Sequence, residues 1–347
     1  MIKSRYMKAK ALSYRQAAAR FGWPAGRMKI CELTLGYSCN ARCVFCYSSP
    51  ELENWKERPS MDLRRAGEHL LASYKNGARM LQIIGGEPTI NEDLPRVISL
   101  AKRTGYLAVQ IVSNGLKLAD EDFVKTLVKS GLNTANLSIH GPDRVTHDAV
   151  VGVEGAFEST LKAARNLIDA GVYINTGTAV TGINYRKIPA LAAFVLRELG
   201  VDSCHIIAAH YLGAAFKRRR ALRVTYTEQM PYIKKAVAAF RLAYVRPAFA
   251  FLSNYLPCVL PGYEALMGDW KYPEADDDLY LPEASHEGRM YTMITETLRM
   301  KSPYCKRCVY CGVCAGFEKT YFEMFGGGEF VPLLEKPDVY PLKPVCV

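Results

Sequence analysis

The chain has 347 residues, of which 49% are hydrophobic and 23% are charged, a composition typical of a globular enzyme with a large core. The sequence contains no run of about 18 apolar residues, and basic residues interrupt its N-terminus, so it predicts neither a membrane span nor a secretory signal. We therefore expect a cytoplasmic protein in which the eleven cysteines do not form disulfides and the clustered ones bind metal.

The predicted elements alternate between strands and helices after an N-terminal helix at about 7–20. Apolar, β-branched runs predict six strands, at 29–35, 79–85, 107–113, 134–140, 173–180 and 203–209. Helical periodicity separates them, at about 62–76, 93–104, 120–130, 155–170 and 186–199. This alternation predicts an α/β fold with a parallel sheet, and six units fit an open, partial (β/α)6 TIM-like barrel.

A smaller C-terminal region follows this core. From about residue 214 the alternation gives way to Pro-punctuated segments and a run of four cysteines. Cysteine-rich regions with little regular core are commonly held together by what their cysteines bind. We therefore expect three parts: a basic N-terminal helical segment (1–28), the partial barrel (29–213) and a C-terminal cysteine-rich domain (214–347).

Two basic runs account for more than the whole formal net charge of +11. Residues 1–31 hold eight Lys or Arg and no acid, and the stretch KRRRALR (Lys217–Arg223) adds five more. Such runs are typical of solvated surfaces, and also of docking surfaces for an acidic partner, a phosphorylated substrate or nucleic acid. The N-terminal run also has the composition of a transit peptide.

Three cysteines, Cys39, Cys43 and Cys46, directly follow the first predicted strand. They lie on the loop at its carboxyl end, the face where parallel barrels form their active sites. The C-x3-C-x2-C spacing lets one loop aim three thiolates at a single point. Structural zinc takes four ligands, usually in C-x2-C pairs, whereas three cysteines on a four-iron cluster leave one iron open. The spacing therefore favours a 4Fe–4S cluster over zinc.

The stretch CNARCVFCY, followed about 40 residues later by GGEPT (Gly85–Thr89), resembles the radical S-adenosylmethionine (radical SAM) superfamily. The resemblance covers about residues 29–210. In that family the open iron binds S-adenosylmethionine, and one electron cleaves it to a 5′-deoxyadenosyl radical that abstracts hydrogen from the substrate. The resemblance implies that Cys39, Cys43 and Cys46 hold the catalytic 4Fe–4S cluster. It also implies a reductant such as flavodoxin or ferredoxin.

The resemblance further implies contacts to S-adenosylmethionine after the first two strands. Tyr47 follows the last cysteine, where family members place an aromatic residue against the adenine. Gly85, Gly86 and Glu87 match the motif that binds the methionine amino group, and glycine permits close backbone approach.

Later strand ends supply the remaining cofactor-binding candidates. Ser113 and Asn114 lie where the family often contacts ribose or carboxylate, and His140 and Asn184 are expected near the adenine and ribose. Turn chemistry is the alternative for Ser113, Asn114 and Asn184. His140 stands where many members have an acidic residue, and it either contacts the nucleoside or substrate or satisfies a loop carbonyl.

Four further residues are expected to have no direct role. His210 ends the sixth strand and favours a structural role, with a site role as the alternative. Cys31 and Cys204 lie within apolar strands as core thiols, and Cys346 is expected to be a free thiol.

The second cysteine group, CKRCVYCGVC, looks like the C-terminal extensions called SPASM or twitch domains, which bind auxiliary 4Fe–4S clusters. With the isolated Cys258 the region has five thiols, enough for one auxiliary cluster. We expect Cys258, Cys305, Cys308 and Cys314 as its ligands, with Cys311 as the alternate fourth. A zinc knuckle and a ferredoxin-like C-x2-C-x2-C run without Cys258 are the alternatives.

The substrate is less well specified than the radical chemistry. Family members with auxiliary clusters often modify peptides or proteins, so the first hypothesis is a maturase-type enzyme with a peptide or protein substrate. The alternative is the same chemistry on a small metabolite such as a sugar, a nucleotide or a cofactor precursor. A third hypothesis is a non-catalytic iron–sulfur protein that binds nucleic acid, which the GGEPT motif argues against.

Overall fold

A computed structural model of the protein has a parallel sheet at its centre. It describes residues 10–24, 28–47, 60–242, 249–271, 279–283, 286–290 and 298–338. The seven parallel strands are β1 (Ile30–Thr34), β2 (Met80–Ile84), β3 (Ala108–Ser113), β4 (Thr134–Ser138), β5 (Tyr173–Val180), β6 (Ser203–Ala208) and β7 (Phe249–Ser253). Their order across the sheet follows the chain. The predicted α/β partial barrel is confirmed, and its sheet has more strands than the six expected.

Helices connect consecutive strands, as the alternation predicted. In the described part of the chain they are α1 (Tyr14–Phe21), α2 (Leu63–Lys75), α3 (Leu94–Thr104), α4 (Glu121–Ser130), α5 (Arg144–Val151), α6 (Ala156–Asp169), α7 (Ile188–Phe194), α8 (Gly213–Lys217), α9 (Arg219–Leu222), α10 (Tyr226–Leu242) and α11 (Lys319–Phe325). The sequence missed α5, because its eight residues give little more than two turns of apolar periodicity.

The sheet extends beyond the six predicted strands at both edges. On one side, α10 packs against α7 and leads into β7, which pairs with β6. On the other side, β8 (Leu279–Glu283) pairs in parallel with two residues of β1, and β9 (His286–Met290) pairs antiparallel with β8. The C-terminal region therefore contributes strands to the barrel sheet. The division of the chain after residue 213 stays a prediction.

The N-terminal helix starts later than the sequence predicted. Residues 10–13 are not helical, because Ser13 begins α1 with a reciprocal capping box in which it and Gln16 satisfy each other's backbone N–H. After the helix, the ring of Trp23 lies edge-on to that of Tyr173 at the start of β5, with centroids 5.8 Å apart. The described part of this basic segment thus packs on the amino-terminal end of the barrel. Residues 1–9 lie outside the described residues.

Each strand presents one apolar face and one polar face. Leu81 and Ile111 are fully buried in the apolar core on the outer face. The inner face carries polar side chains, and Gln110 Nε2 donates to Thr134 Oγ1 (3.2 Å) and to Asn175 Oδ1 (3.4 Å) on the next two strands. The interior of the barrel is therefore lined with hydrogen-bonding groups.

The C-terminal segment packs on the same core through aromatic rings. It contains the antiparallel pair β10 (Arg299–Met300) and β11 (Phe317–Glu318), which leads directly into α11. The rings of Tyr226 and Tyr321 stack with centroids 4.4 Å apart, and those of Phe317 and Phe330 at 4.1 Å. Among the described residues, no helix has the length and apolar character needed to cross a membrane.

Candidate active site

The cysteine loop (residues 36–47) follows β1 and is fastened to the turn after β2. Gly86 N donates to Gly36 O (2.8 Å), and Glu87 N donates to Ser38 O (2.8 Å). The GGEPT turn and the cysteine loop are thus joined backbone to backbone.

Two glycines make this approach possible. Gly85 has φ +147°, and a Cβ there would lie 2.2 Å from Gly36 O. A Cβ on Gly86 would lie 2.2 Å from Ser38 O. Only glycine fits at either position, since no larger residue can avoid these carbonyls. The glycines therefore have a packing role, and their predicted contact with the methionine amino group stays a prediction.

Two further strand ends hold the rest of the cysteine loop. The amides of Arg42 and Val44 donate to carbonyls of the last turn of α5, at 3.1 and 3.0 Å. Ala214 N, at the start of α8, donates to Cys46 O at 2.9 Å. The loop is therefore braced by the segments that follow β2, β4 and β6.

The three thiols of the loop lie close enough to influence one another. Burial, followed by the neighbouring Glu87 and Cys46, raises the pKa of Cys39. Burial also raises the pKa of Cys43, as do the adjacent Cys46 and Cys39. Burial and the neighbouring charges thus disfavour the thiolate form of Cys39 and Cys43 unless a cation is present. This donor set fits a positively charged metal cluster.

Glu87 joins the turn after β2 to the end of β3. Its carboxylate accepts hydrogen bonds from Thr89 N (3.1 Å), Thr89 Oγ1 (2.6 Å), Ser113 Oγ (2.7 Å) and Asn114 N (2.8 Å). Burial raises the pKa of Glu87, and these four donors oppose that rise. Both carboxylate oxygens accept hydrogen bonds, so the Glu87 and Ser113 side chains hold the turn after β2 against the end of β3.

Asn114 connects the end of β3 to the cysteine loop. Its Nδ2 donates to Asn40 Oδ1 (2.8 Å) and lies 3.9 Å from Cys39 Sγ, while its Oδ1 accepts from Leu116 N (3.0 Å). The structure therefore brings Asn114 to the first cysteine.

His140 lies buried beneath the cysteine loop. Its ring is edge-on to that of Phe45, between the second and third cysteines, with centroids 4.8 Å apart. Ala179 N donates to His140 Nδ1 (3.2 Å), which assigns the ring proton to Nε2. Burial, and then the neighbouring His147, lower the pKa of His140 to about 3. His140 is therefore neutral and supports the loop; its contact with the nucleoside stays a prediction.

The side chain of Asn184, after β5, uses both its amide oxygen and its amide nitrogen in hydrogen bonds. Its Oδ1 accepts from Thr181 N (2.8 Å) and Thr181 Oγ1 (3.1 Å), and its Nδ2 donates to His140 O (2.9 Å) and Ala179 O (2.8 Å). The side chain is fully buried. The turn-chemistry alternative explains the bonds to Thr181 and Ala179, and the bond to His140 O joins this turn to the end of β4. The predicted contact with S-adenosylmethionine stays a prediction.

Tyr47 connects the cysteine loop to the C-terminal segment through His210. Tyr47 is 53% exposed, and its ring lies edge-on to that of His210 at 6.2 Å. His210 Nδ1 in turn contacts the buried carboxylate of Glu318 in β11. Burial lowers the pKa of His210, but the Glu318 carboxylate outweighs it and the net pKa is raised. His210 thus has the structural role that the sequence favoured.

A second bridge ties the C-terminal segment to the ends of β6 and β7. Arg299 Nη2 lies 3.2 Å from Asp269 Oδ2, and the Asp269 carboxylate accepts from Asn254 N (2.9 Å). Asn254 Nδ2 donates to Ala208 O (3.2 Å). Together with the contact between His210 and Glu318, this chain of bonds fixes the second cysteine group at the carboxyl end of the barrel.

The C-terminal cysteines line one cavity with apolar walls. The five thiols around it are those of Cys258, Cys305, Cys308, Cys311 and Cys314. Leu256, Phe317 and Phe330 form the apolar part of the lining. Five thiols around one enclosed space are a donor set suited to a metal cluster.

Cys258 lies close to three of the other thiols. Burial raises its pKa to about 12, and the nearby Cys314, Cys308 and Cys305 contribute to the rise. Cys311 lines the same cavity, and Lys301 Nζ donates to its backbone carbonyl (2.6 Å). The expected ligand set, with Cys311 as the alternate fourth, stays a prediction.

The remaining cysteines fall outside both groups. Cys31 and Cys204 are buried in β1 and β6, so their prediction as core thiols is confirmed. Cys346 lies outside the described residues. Across the described ranges, no group of three or more His, Cys, Asp or Glu is arranged around a single metal ion.

Sequence reasoning missed the residues that support the site from a distance. Asn40 and Thr89 are partners of Asn114 and Glu87, and Asp269 and Glu318 link the C-terminal segment to the barrel. Asn40 lies in CNARCVFCY and Thr89 lies in GGEPT, so their place in these motifs could have indicated that they belong to the site.

Sequence comparison identifies relatives of this chain. The family model described as the radical SAM superfamily matches residues 33–195. A probable GTP 3',8-cyclase of Saccharolobus solfataricus is 31% identical over 251 residues, which span 70% of this chain and 78% of that protein.

Solved structures share the fold at lower identity. SuiB of Streptococcus suis, solved bound to S-adenosylmethionine, aligns with a TM-score of 0.60 and 14% identity, over 92% of this chain and 80% of that one. SuiB bound to its precursor peptide SuiA aligns with a TM-score of 0.54 and 19% identity, over 68% of this chain and 52% of that one. The cysteine loop, the partial barrel and the sequence relatives all indicate the same family. The chain belongs to the radical SAM superfamily, and it is an enzyme.

Proposed function

We propose that this enzyme cleaves S-adenosylmethionine reductively and abstracts hydrogen from a peptide or protein substrate. The observation that carries the proposal is the cysteine loop, in which three mutually close thiols are braced from three strand ends beside the polar barrel interior. Cys39, Cys43 and Cys46 would hold a 4Fe–4S cluster there. When bound, such a cluster supplies the electron that cleaves S-adenosylmethionine to the 5′-deoxyadenosyl radical.

The residues of the chain orient and enclose this site. Asn114 and the turn of Gly85–Glu87 hold the loop in place, and Tyr47 offers an exposed ring at its end. Gly85, Gly86, Tyr47 and Asn114 are our candidates for contact with S-adenosylmethionine. A flavodoxin or ferredoxin would supply the reducing electron.

The C-terminal cavity would hold one auxiliary 4Fe–4S cluster. Cys258, Cys305, Cys308 and Cys314 are its proposed ligands, since the first of them is electrostatically coupled to the other three. Four cysteines would complete the cluster and suit it to electron transfer.

The barrel interior supports the choice of a peptide substrate. The polar side chains on inward positions of β1–β7 are Glu32, Thr34, Gln82, Gln110, Thr134, Asn136, Ser138, Asn175, Ser203, His205 and Ser253. Within these seven strands no Lys or Arg occurs on the inward face. Amides and hydroxyls match the N–H and C=O groups of a peptide, whereas a buried triphosphate needs fixed cations.

A nucleotide substrate is the second candidate. It is favoured by the Saccharolobus solfataricus relative, whose name assigns it GTP as substrate. Under this alternative, phosphates would lie outside the neutral interior, at the rim of the barrel.

Formation of 5′-deoxyadenosine tests the proposal. Under anaerobic reduction the wild-type enzyme should produce it, and Cys43→Ala should abolish production because the loop loses one of three iron ligands. Addition of the true substrate should increase the yield, so peptides and GTP are compared as additives. Equal 5′-deoxyadenosine from Cys43→Ala and wild type would contradict the assignment of the loop.

A further inference from the structure

A basic ridge lies beside the cysteine loop and has no part in the proposed chemistry. We define it by Arg186, Arg219, Arg220 and Arg223. Arg186, Arg220 and Arg223 are exposed, and Arg219 is half-buried. The segment Gly213–Arg223 contains five basic residues and no acid.

The ridge is one continuous surface although its residues come from two loops. Gly182 N, after β5, donates to Leu222 O (2.9 Å) in α9. Hydrogen bonds from Thr225 lower the pKa of Glu228, and Arg223 and Arg186 lower it further. Both guanidinium groups therefore lie near the same carboxylate.

Aromatic rings hold the arginines in place. Arg219 lies 4.2 Å from the centroid of Phe216, and Arg223 lies 5.2 Å from that of Phe325. A guanidinium stacked on a ring keeps its N–H edge available for a carboxylate. Phe216 and Ile183 are themselves 38% and 40% exposed, so the ridge combines positive charge with apolar surface.

The ridge is anchored directly to the cysteine loop. Gly213 has φ +53°, and a Cβ there would lie 2.5 Å from Tyr47 O. The next residue, Ala214, donates to Cys46 O (2.9 Å). A molecule bound to the ridge therefore lies at the mouth of the barrel.

We propose that the basic ridge binds an acidic segment of the peptide substrate that also carries apolar side chains, and so brings the peptide to the barrel. This inference rests on the proposed function. Carboxylates would pair with the arginines, and apolar side chains would cover Phe216 and Ile183. The alternation of charge with exposed apolar surface fits such a peptide better than a polyphosphate, which has no apolar part.

Binding of a synthetic peptide tests the ridge. The probe is a fluorescein-labelled ten-residue peptide of Glu and Leu, measured by anisotropy against reconstituted holoenzyme, and its Gln/Leu counterpart is the uncharged control. The ridge variant is Arg219→Gln, Arg220→Gln, Arg223→Gln. The matched variant removes three remote exposed charges by Arg64→Gln, Arg96→Gln, Lys129→Gln. Circular dichroism establishes that both variants are folded.

The acidic peptide should bind about tenfold more weakly to the ridge variant than to wild type, and added salt should weaken binding to wild type. The matched variant should bind as wild type does. Equal affinity of the ridge and matched variants would overturn the proposal, as would tighter ridge-dependent binding of GTP or of a single-stranded RNA decamer. The assay requires no turnover, so a failure of S-adenosylmethionine cleavage would be seen separately and would count against the proposed function instead.

Discussion

At the scale of single residues, side chains that bind no metal decide the position of the thiols. Glu87 is the clearest example, since its buried carboxylate accepts four hydrogen bonds from the end of β3 and from its own turn. Asn114 then carries the connection to Asn40 in the cysteine loop. The site is therefore a network in which these side chains hold the ends of β2 and β3 together.

Glu87→Gln should destabilise the protein by about 1–3 kcal/mol. The amide NH2 of Gln replaces a carboxylate oxygen, so it faces N–H or O–H groups that are also donors. Urea unfolding of the apoprotein measures this loss. Glu121→Gln is the matched control, since that carboxylate is exposed and pairs only with Lys125 on the surface of α4. An equal effect of the two substitutions would show that the Glu87 hydrogen bonds do not stabilise the fold.

His140 should make the protein sensitive to acid. Its pKa is about 3 in the folded protein, below the ordinary value of 6.5, so the unfolded chain binds a proton that the folded chain does not. Stability from this residue is present above pH 6.5 and is lost as pH falls towards 3, by about 1.4 kcal/mol per pH unit. His140→Gln should reduce the slope of unfolding free energy against pH between about 5.5 and 4.5 by that amount. An unchanged slope would show that His140 titrates normally.

At the scale of elements, the C-terminal segment is fastened to the barrel at its carboxyl end. The contact between His210 and Glu318 joins the end of β6 to β11, and the pair of Arg299 with Asp269 joins β10 to the same region. Four members of the second cysteine group, Cys305, Cys308, Cys311 and Cys314, lie between these two short strands. Its position relative to the cysteine loop therefore depends on charged contacts as well as on aromatic packing.

Glu318→Gln should loosen this attachment, because it leaves His210 without its counter-charge and costs about 1–3 kcal/mol. Hydrogen exchange of residues 298–338 should increase, while exchange in β2 and β3 stays unchanged. Glu323→Gln on the exposed side of α11 is the control. Identical exchange in both variants would contradict the role of the contact.

The strands and most helices could be predicted from sequence because their periodicity is local. Five of the six predicted helices matched closely. Helix α5 is short and gave too little pattern, and β7 lies beyond residue 214, where the alternation of strands and helices gives way. Contacts between side chains were not predictable in the same way. Asn114 and Asn40 are 74 residues apart and Glu318 and His210 are 108 apart, so their meeting depends on where strand ends converge in the folded barrel.

At the scale of the whole molecule, two groups of cysteines lie at one end of a partial barrel with a polar interior. The first group could be recognised from its spacing in the sequence, because all three of its cysteines belong to a single loop. The second group was predicted only through the family resemblance, because Cys258 joins the others from a distant segment. This arrangement places the proposed peptide-binding ridge, the proposed S-adenosylmethionine site and the proposed auxiliary cluster around the same opening.

The most direct test is the iron content of the anaerobically reconstituted enzyme, measured together with 5′-deoxyadenosine formation. Two 4Fe–4S clusters predict about eight irons per chain, about four in Cys314→Ala with cleavage retained, and about eight in Cys311→Ala. About four irons in the active wild-type enzyme would contradict the auxiliary cluster. Absence of both S-adenosylmethionine cleavage and S-adenosylmethionine binding in the wild type would contradict the central claim.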